Sequence, residues 1–276
     1  MVGNGRARRR IMAVLTDPVR HAYVGAARRW AADAMLVYGP LAKHLVDRSP
    51  VAMGDCTALD VGAGTGAIGA VLVAAGARVI SCDLEVGMLC GASGSCPAGA
   101  AAVADVMALP FRNGGVDATV AGFVLNHLAD PVAGLRELRR VTRASGVVLA
   151  SVFGDDRAPA KEAVDAVLLT RGWQPPSWYR EMHARATAVA TTRQMARAAR
   201  SAGLVSVEVD CADIDVGLDN PALVVRYRFG MPQVSHFLDT LGPSEFAELV
   251  AEATAAVKST GRSFRPNVVE LVARVT

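Results

Sequence analysis

Three aspartates in this chain each close a short apolar run: Asp60 in "CTALDV", Asp83 in "RVISCD" and Asp105 in "AAAVAD". A carboxylate at such a place accepts hydrogen bonds from hydroxyl or amino groups, or offsets a cation. Between the first two acids lies "ALDVGAGTGAIGA" (residues 58–70), whose glycines satisfy two templates at once. Gly64-x-Gly66-x-x-Gly69 matches a dinucleotide-binding fingerprint, in which glycines let the backbone approach a pyrophosphate. Asp60-x-Gly62-x-Gly64-x-Gly66 is instead an acid followed by glycines at alternate positions. The two templates predict different ligands. A carboxylate near a pyrophosphate is repelled by kcal/mol-scale amounts in a partly buried site, whereas a cationic ligand without phosphate welcomes it.

The surrounding elements are legible as an alternation. Residues 18–48 carry apolar positions at helical spacing and predict two helices, with a break at Gly39-Pro40. "CTALDV" reads as a strand and "AIGAVLVAAGA" as a helix stopped by Gly76. "RVISCD" reads as a second strand, followed by a short helix around Val86 to Cys90, the loop "GSCPAG" and the third strand "AAAVAD". "VDATVAGFVL" reads as a fourth strand, "DPVAGLRELRRVT" as a helix with Asp130 as N-cap and Pro131 at its first position, and "VVLASVF" as a fifth strand. Strands alternating with helices at this spacing predict a parallel, doubly wound α/β sheet with right-handed crossovers. Then come a helix in "TTRQMARAARSAGL" stopped by Gly203, a strand "VSVEVD" and a final strand "NVVELVARV". Residues 155–190, and about 55 residues between the last two strands, interrupt the alternation, where such folds place substrate-binding walls.

Bulk composition narrows the function classes. The 276 residues suit one large domain or two small ones. A net charge of +3 makes no electrostatic demand for nucleic acid. The uncharged run Val61–Ala77 contains five glycines and falls short of the ~20 residues of a spanning helix, so no membrane segment is expected. "RARRR" (Arg6–Arg10) reads as a solvated terminus. The arginine- and alanine-rich composition suggests a GC-rich bacterial source. Five cysteines (Cys56, Cys82, Cys90, Cys96, Cys211) form no C-x-x-C, which points away from a disulfide framework or a zinc site and towards a reducing cytoplasm.

In a doubly wound sheet the ligand lies beyond the strand ends. Three acids capping three successive strands suit the cationic, phosphate-free S-adenosylmethionine (SAM) better than a nicotinamide dinucleotide. The chain resembles the class I SAM-dependent methyltransferases, in the small-molecule group that includes the ubiquinone/menaquinone biosynthesis methyltransferases. The resemblance rests on "LDVGAGTG", "CDLEVGML", "ADVMALPF" and "VDATVAGFVLNHLADP", covers about residues 55–154 closely and continues more loosely to the end. It implies a Rossmann-like seven-stranded sheet, mostly parallel with an antiparallel final hairpin, plus helical cap insertions. It also implies one domain: a helical lid over 1–50, a SAM-binding core over 51–154, substrate-cap insertions over 155–190 and 212–262, and the final strand over 263–276. By the same resemblance Gly62, Ala63, Gly64 and Gly66 line the methionine portion with Asp60 nearby. Asp83 takes the ribose, Leu84 and Val106 flank the adenine, Asp105 bonds its amino group, and the Gly122 backbone receives the methionine ammonium. Tyr38 closes the site or simply packs in the core.

Within that family, the fourth-strand end reads Asn126-His127-Leu128-Ala129, not the Asn/Asp-Pro-Pro-aromatic tetrad of amino-nitrogen methylases. "QPPSWY" (Gln174–Tyr179) follows the fifth strand and begins with Gln. There is no glutamate pair after the fourth strand and no evident metal cluster, which leaves a small organic acceptor and no metal. His127 is the candidate general base, with bracing of its loop as the rival role; His21, His44, His183 and His236 are weaker candidates. Trp173, Trp178, Tyr179, Arg226 and His236 are concentrated in the two insertions and suit a planar, partly apolar acceptor with an anionic group, or a cap with its own small core. The expected state is monomer or homodimer. Two rival functions remain: a SAM-fold protein without methyl transfer, such as a cyclase or regulator, and an NAD-linked oxidoreductase.

Overall fold

The computed structural model describes residues 22–91 and 100–276. The Arg6–Arg10 segment, His21 and the whole of "GSCPAG" with its Cys96 lie outside the described residues. A helical turn (Ala27–Arg29) and a π-helical turn (Trp30–Ala34) lead into α1 (Met35–Asp47). Then follow β1 (Thr57–Val61), α2 (Ala67–Ala74), β2 (Arg78–Asp83), α3 (Val86–Leu89), β3 (Ala100–Val103) and β4 (Val116–Gly122). The second half holds α4 (Pro131–Val141), β5 (Thr142–Phe153), α5 (Pro159–Thr170), α6 (Ser177–Ala186), α7 (Thr192–Ser201) and β6 (Val205–Asp213). It ends with α8 (Pro221–Phe229), α9 (Pro232–Leu238), α10 (Pro243–Ser259) and β7 (Asn267–Arg274).

The seven strands form one sheet in the order β3-β2-β1-β4-β5-β7-β6. All neighbours are parallel except β7, which runs antiparallel to both β5 and β6. The chain winds outward from β1 to β3 and then restarts at β4 on the other side, so the switch point falls between β1 and β4. The central strands are hydrophobic on both faces: Ala58, Leu59, Ala118, Val120 and Val147–Ala150 are wholly inaccessible. Layers of helices on both sides of a parallel sheet require this near-continuous apolar run. The edge strands β3 and β6 are mostly exposed.

Local signals behave as their chemistry dictates. Asp130 caps α4 by accepting from the Ala133 N–H at 2.9 Å, and Thr191 and Gln194 form a capping box at the start of α7. Several boundaries differ from the sequence reading, among them β5, which begins at Thr142 inside the segment read as helix; two bear on the site. No break occurs at Gly39-Pro40, since α1 runs through Pro40. An internal proline costs about 3 kcal/mol, but α1 buries Val37, Tyr38, Leu41, Ala42, Leu45 and Val46, and each large apolar side chain returns roughly 1.5–3 kcal/mol. Packing wins. An ionic cluster also pins this helix to the sheet: buried Glu270 on β7 lies 3.0 Å from His44 Nδ1 and 3.3 Å from Arg48 Nη1. Secondly, β4 ends at Gly122 instead of continuing to Leu125, because Phe123 adopts a left-handed φ of 59° and a 3-10 turn follows over Leu125–His127.

The two irregular stretches are helical. Residues 155–190 contain α5 and α6, and residues 212–262 contain α8, α9 and α10. They pack with α1 into a second hydrophobic cluster that includes Tyr38, Leu168, Trp173, Tyr179, Tyr227 and Phe264. This cap stands over one end of the sheet. Among the described residues, no helix is long and apolar enough to cross a membrane.

Candidate functional site

The parallel register sets the strand ends side by side: Asp60 lies opposite Ser81 and Val120, Asp83 opposite Val103, and Gly122 opposite Ser151. The loop after β1 folds back over this edge. Gly62 and Ala63 both donate their N–H to the Cys82 carbonyl, at 2.8 and 2.9 Å. Gly62 needs to be glycine twice over: its φ is 68°, and a Cβ there would sit 2.2 Å from Val124 Cγ2. At Gly122 a Cβ would meet Ile68 Cδ1 at 2.5 Å. Backbone and side chains therefore close tightly around the switch point, as a site read by main-chain groups requires.

The three acids have distinct environments. Asp83 Oδ2 accepts from Gly64 N at 2.8 Å and Oδ1 from Glu85 N at 2.9 Å. Burial raises its pKa, and the backbone N–H groups of Glu85, Gly64 and Leu84 oppose the rise. Asp105 caps the 3-10 turn Val106–Ala108 by accepting from Met107 N at 2.8 Å. Asp60 differs from both. It is wholly inaccessible, and neither carboxylate oxygen has a hydrogen bond of normal geometry. Burial pushes its pKa up to about 7; the nearby Gly69 N–H eases this without satisfying the group, and the Asp83 charge adds to it. A bare buried carboxylate is costly unless something cationic offsets it.

A cavity of about 820 Å³ opens from this edge into the cap. Of the residues expected at a cofactor, Tyr38, Gly62, Ala63, Gly64, Asp83, Leu84, Asp105, Val106 and Gly122 line it, while Asp60 and Gly66 sit behind the lining. His127 lines it from the turn after β4, with Tyr23 edge-on at 6.0 Å between ring centroids. Among the expected acceptor residues, Trp178 and Tyr179 line the cap end. Trp173, Arg226 and His236 do not. Trp173 is buried behind the wall and donates Nε1–H to the Gln233 carbonyl at 3.0 Å. Arg226 faces outward and pairs with Asp33 at 2.8 Å, and His236 is exposed.

Several lining residues escaped the sequence reading. Trp30 stacks on Tyr38 at 4.8 Å, and Tyr23 meets Trp30 edge-on at 5.6 Å. Their signal was present: Tyr23, Trp30 and Tyr38 are seven and eight residues apart, one face of a helix. Tyr38 also meets Phe123 at 5.1 Å and Phe153 at 6.0 Å, so aromatic rings form a continuous wall from the glycine loop to the cap. Burial drives the Tyr23, Tyr38 and Tyr227 hydroxyls well above their ordinary pKa, so they act as neutral donors. His183 lies edge-on to Tyr179 at 4.5 Å; packing against the cap, with Lys161 and Arg228 nearby, holds its pKa below the usual value. Among the described residues, no group of His, Cys, Asp and Glu has the makings of a metal site.

Residues 59–150 match the family model of a methyltransferase domain. A demethylmenaquinone methyltransferase of Beutenbergia cavernae is 39% identical over 95 residues, covering 34% of this chain and 40% of that protein. The chain thus spans about two-fifths of the length of the curated relatives it matches. Among solved structures, a phosphoethanolamine N-methyltransferase of Haemonchus contortus bound to S-adenosylhomocysteine superposes with a TM-score of 0.56 at 16% identity, over 85% of this chain and 52% of that one. A chain from a Haloferax volcanii methyltransferase–activator complex gives 0.56 at 22% identity, over 93% and 97%. At these identities the structures speak to the fold alone.

The environment of Asp60 has a direct consequence for the ligand-free protein. A carboxyl whose folded pKa lies above its unfolded value binds its proton more tightly when folded. That contribution is complete below about pH 4 and is lost as the pH rises through about 7. Asp60→Asn escapes the loss. Urea unfolding at a series of pH values should show wild type falling behind the variant by a few kcal/mol across this window; parallel curves would contradict the assignment.

Proposed function

We propose that this chain, which belongs to the class I SAM-dependent methyltransferases, moves a methyl group from SAM to an O, N or C atom of a small organic molecule. The observation that carries the reading is one cavity joining Asp83 at the end of β2 and Asp105 after β3 to an aromatic cap, with Asp60 of β1 behind its wall. The residues present fit the cofactor on their own chemistry. Asp60 is an unsatisfied buried carboxylate beside the glycine loop, suited to a ligand bearing a sulfonium and an ammonium and unsuited to a pyrophosphate.

When bound, SAM supplies a methyl group on a positively charged sulfur, so transfer is an in-line displacement in which charge disperses. The protein's part is alignment and exclusion of water. Asp83 accepts one backbone N–H on each oxygen. A carboxylate has about four lone-pair sites, which leaves capacity for two ribose hydroxyls. Asp105 takes the adenine amino group, Leu84 and Val106 flank the base, and Gly62, Ala63, Gly64 and Gly66 with the Gly122 backbone hold the methionine portion. Tyr38, with Trp30 and Tyr23, closes the site from the N-terminal side. Trp178 and Tyr179 contribute to the acceptor wall. His127 holds the proton where the acceptor must lose one; its place at the β4 end and in the cavity lining supports this.

The one-domain division into lid, core, two cap insertions and final strand is supported by the packing of α1 with α5, α8 and α10 in a single cluster over the sheet. The free thiols of Cys56, Cys82 and Cys211 support a cytoplasmic setting.

Calorimetry with SAM and with NADH tests the reading: SAM binds and NADH does not. Asp83→Ala should weaken SAM more than tenfold, since charge-assisted hydrogen bonds are each worth about 1.5–3 kcal/mol. Tight NADH binding without SAM binding would overturn the assignment. Formation of S-adenosylhomocysteine from SAM and candidate acceptors, followed by mass spectrometry, separates methyl transfer from a non-transferring SAM-binding role.

For His127, a pH–rate profile at saturating SAM is the informative measurement. A general base implies that His127→Ala cuts kcat by about 10²–10⁴ and abolishes the acid limb of the wild-type profile, with SAM affinity little changed. An unchanged profile with lowered stability would make the residue a brace for the turn.

A further inference from the structure

At the cap end of the cavity lies an arginine that the mechanism does not use. Arg228, on α8, lines the cavity although its side chain is only 1% exposed. Its Nε donates to Asp165 Oδ1 on α5, and its Nη2 lies 3.4 Å from the Tyr179 hydroxyl. Its Nη1 is buried and has no hydrogen-bond partner. Guanidinium groups taken out of water are almost always fully hydrogen-bonded. An unmet N–H donor at the wall of a cavity is a place where a ligand oxygen can accept a hydrogen bond.

The local charge agrees. Asp165 is shared by Arg228 and Lys161, whose Nζ lies 3.5 Å from Asp165 Oδ2. Two cations face one carboxylate, so the inner cap carries one net positive charge. The acids that α5 and the loop before it contribute to the lining, Asp155, Asp156 and Glu162, do not cancel it. Asp155 and Asp156 are exposed, and Glu162 is engaged by Arg157. The remaining walls are flat and aromatic. The Arg228 guanidinium carbon lies 5.5 Å from the Trp173 ring centroid and 5.6 Å from that of Tyr179, and these rings fix the guanidinium in place.

We propose that Arg228 Nη1 is an anion-recognition point and that the methyl acceptor is a planar, largely apolar molecule carrying a carboxylate or a comparable oxyanion. The word acceptor rests on the methyltransferase reading; the anion site does not. The other carboxylate that could reach this cavity belongs to the methionine portion of SAM, and the experiment distinguishes the two sources.

The probes are 2-naphthoate and its uncharged isostere 2-naphthamide, titrated separately into the protein without SAM at pH 7.5, with S-adenosylhomocysteine titrated in a parallel series. Wild type should bind the carboxylate about 10- to 100-fold more tightly than the amide, the scale of one charge-assisted hydrogen bond. Arg228→Gln should erase that preference and leave S-adenosylhomocysteine affinity unchanged. Removing Arg228 leaves Asp165 short of a partner, so Arg228→Gln/Asp165→Asn, which deletes both charges together, carries the same expectation if the single variant fails to fold. Equal affinity for the two probes in wild type, binding of neither, or a preference that survives in the folded variant would overturn the proposal. So would a fall in S-adenosylhomocysteine affinity on substitution, which would assign the guanidinium to the methionine carboxylate. Failure of wild type to bind S-adenosylhomocysteine would instead overturn the methyltransferase reading and leave the anion result standing.

Discussion

A buried carboxyl group without a hydrogen-bond partner is the constraint on which this structure turns. Asp60 stands at the switch point of the sheet with no solvent access and no properly formed hydrogen bond. Burying such a group charged costs more than most single contacts return. The cost is avoided if the group is protonated and is offset if a ligand cation lies beside it. The loop that covers it donates Gly62 and Ala63 to the Cys82 carbonyl and Gly64 to Asp83, and donates nothing to Asp60. The backbone thereby satisfies the neighbouring acid and leaves this one without a partner.

The rest of the molecule maintains the dry environment that gives a carboxylate such leverage. Low polarity strengthens every electrostatic interaction within it. The ring wall formed by Trp30, Tyr38, Phe123 and Phe153 runs from the glycine loop to the cap, with Phe123 and Phe153 only 4.5 Å apart. Tyr227 and Phe264 extend it at 5.4 Å. Pinning α1 to Glu270 on β7 holds Tyr38 over this wall, so sheet, lid and cap converge on the same cavity. Its two ends differ in sign, acidic at the strand ends and basic at Arg228. On the reading proposed above, that polarity suits a cationic cofactor at one end and an anionic acceptor at the other.

The sheet and its acids were legible from sequence because they depend on local rules. Apolar runs ending in aspartate, glycines at alternate positions and an Asp-Pro helix start each carry their own physical reason. What was not legible depended on packing at a distance. Pro40 signalled a break that burial of Leu41 and Leu45 overrode. Phe123 ended β4 early through a left-handed conformation that no residue type announces. The cap shows the limit most clearly. Arg226 was read as the acceptor arginine, yet residues two apart on a helix point about 200° apart. Arg226 therefore pairs with Asp33 on the outside, and Arg228 faces the cavity. Choosing between them required knowing which face of α8 met α5, and that is set by the whole cap.

On this reading Asp60 is held near neutrality until a cation arrives. Calorimetric titration of SAM at pH 7, repeated in buffers of different ionisation enthalpy, counts the protons exchanged on binding. A carboxyl with a pKa of about 7 that is lowered by an adjacent cation releases its proton, about half an equivalent at this pH. Wild type should therefore release about half a proton more than Asp60→Asn. Equal proton exchange in the two proteins would contradict the claim and leave Asp60 as an acid with no part in holding the ligand.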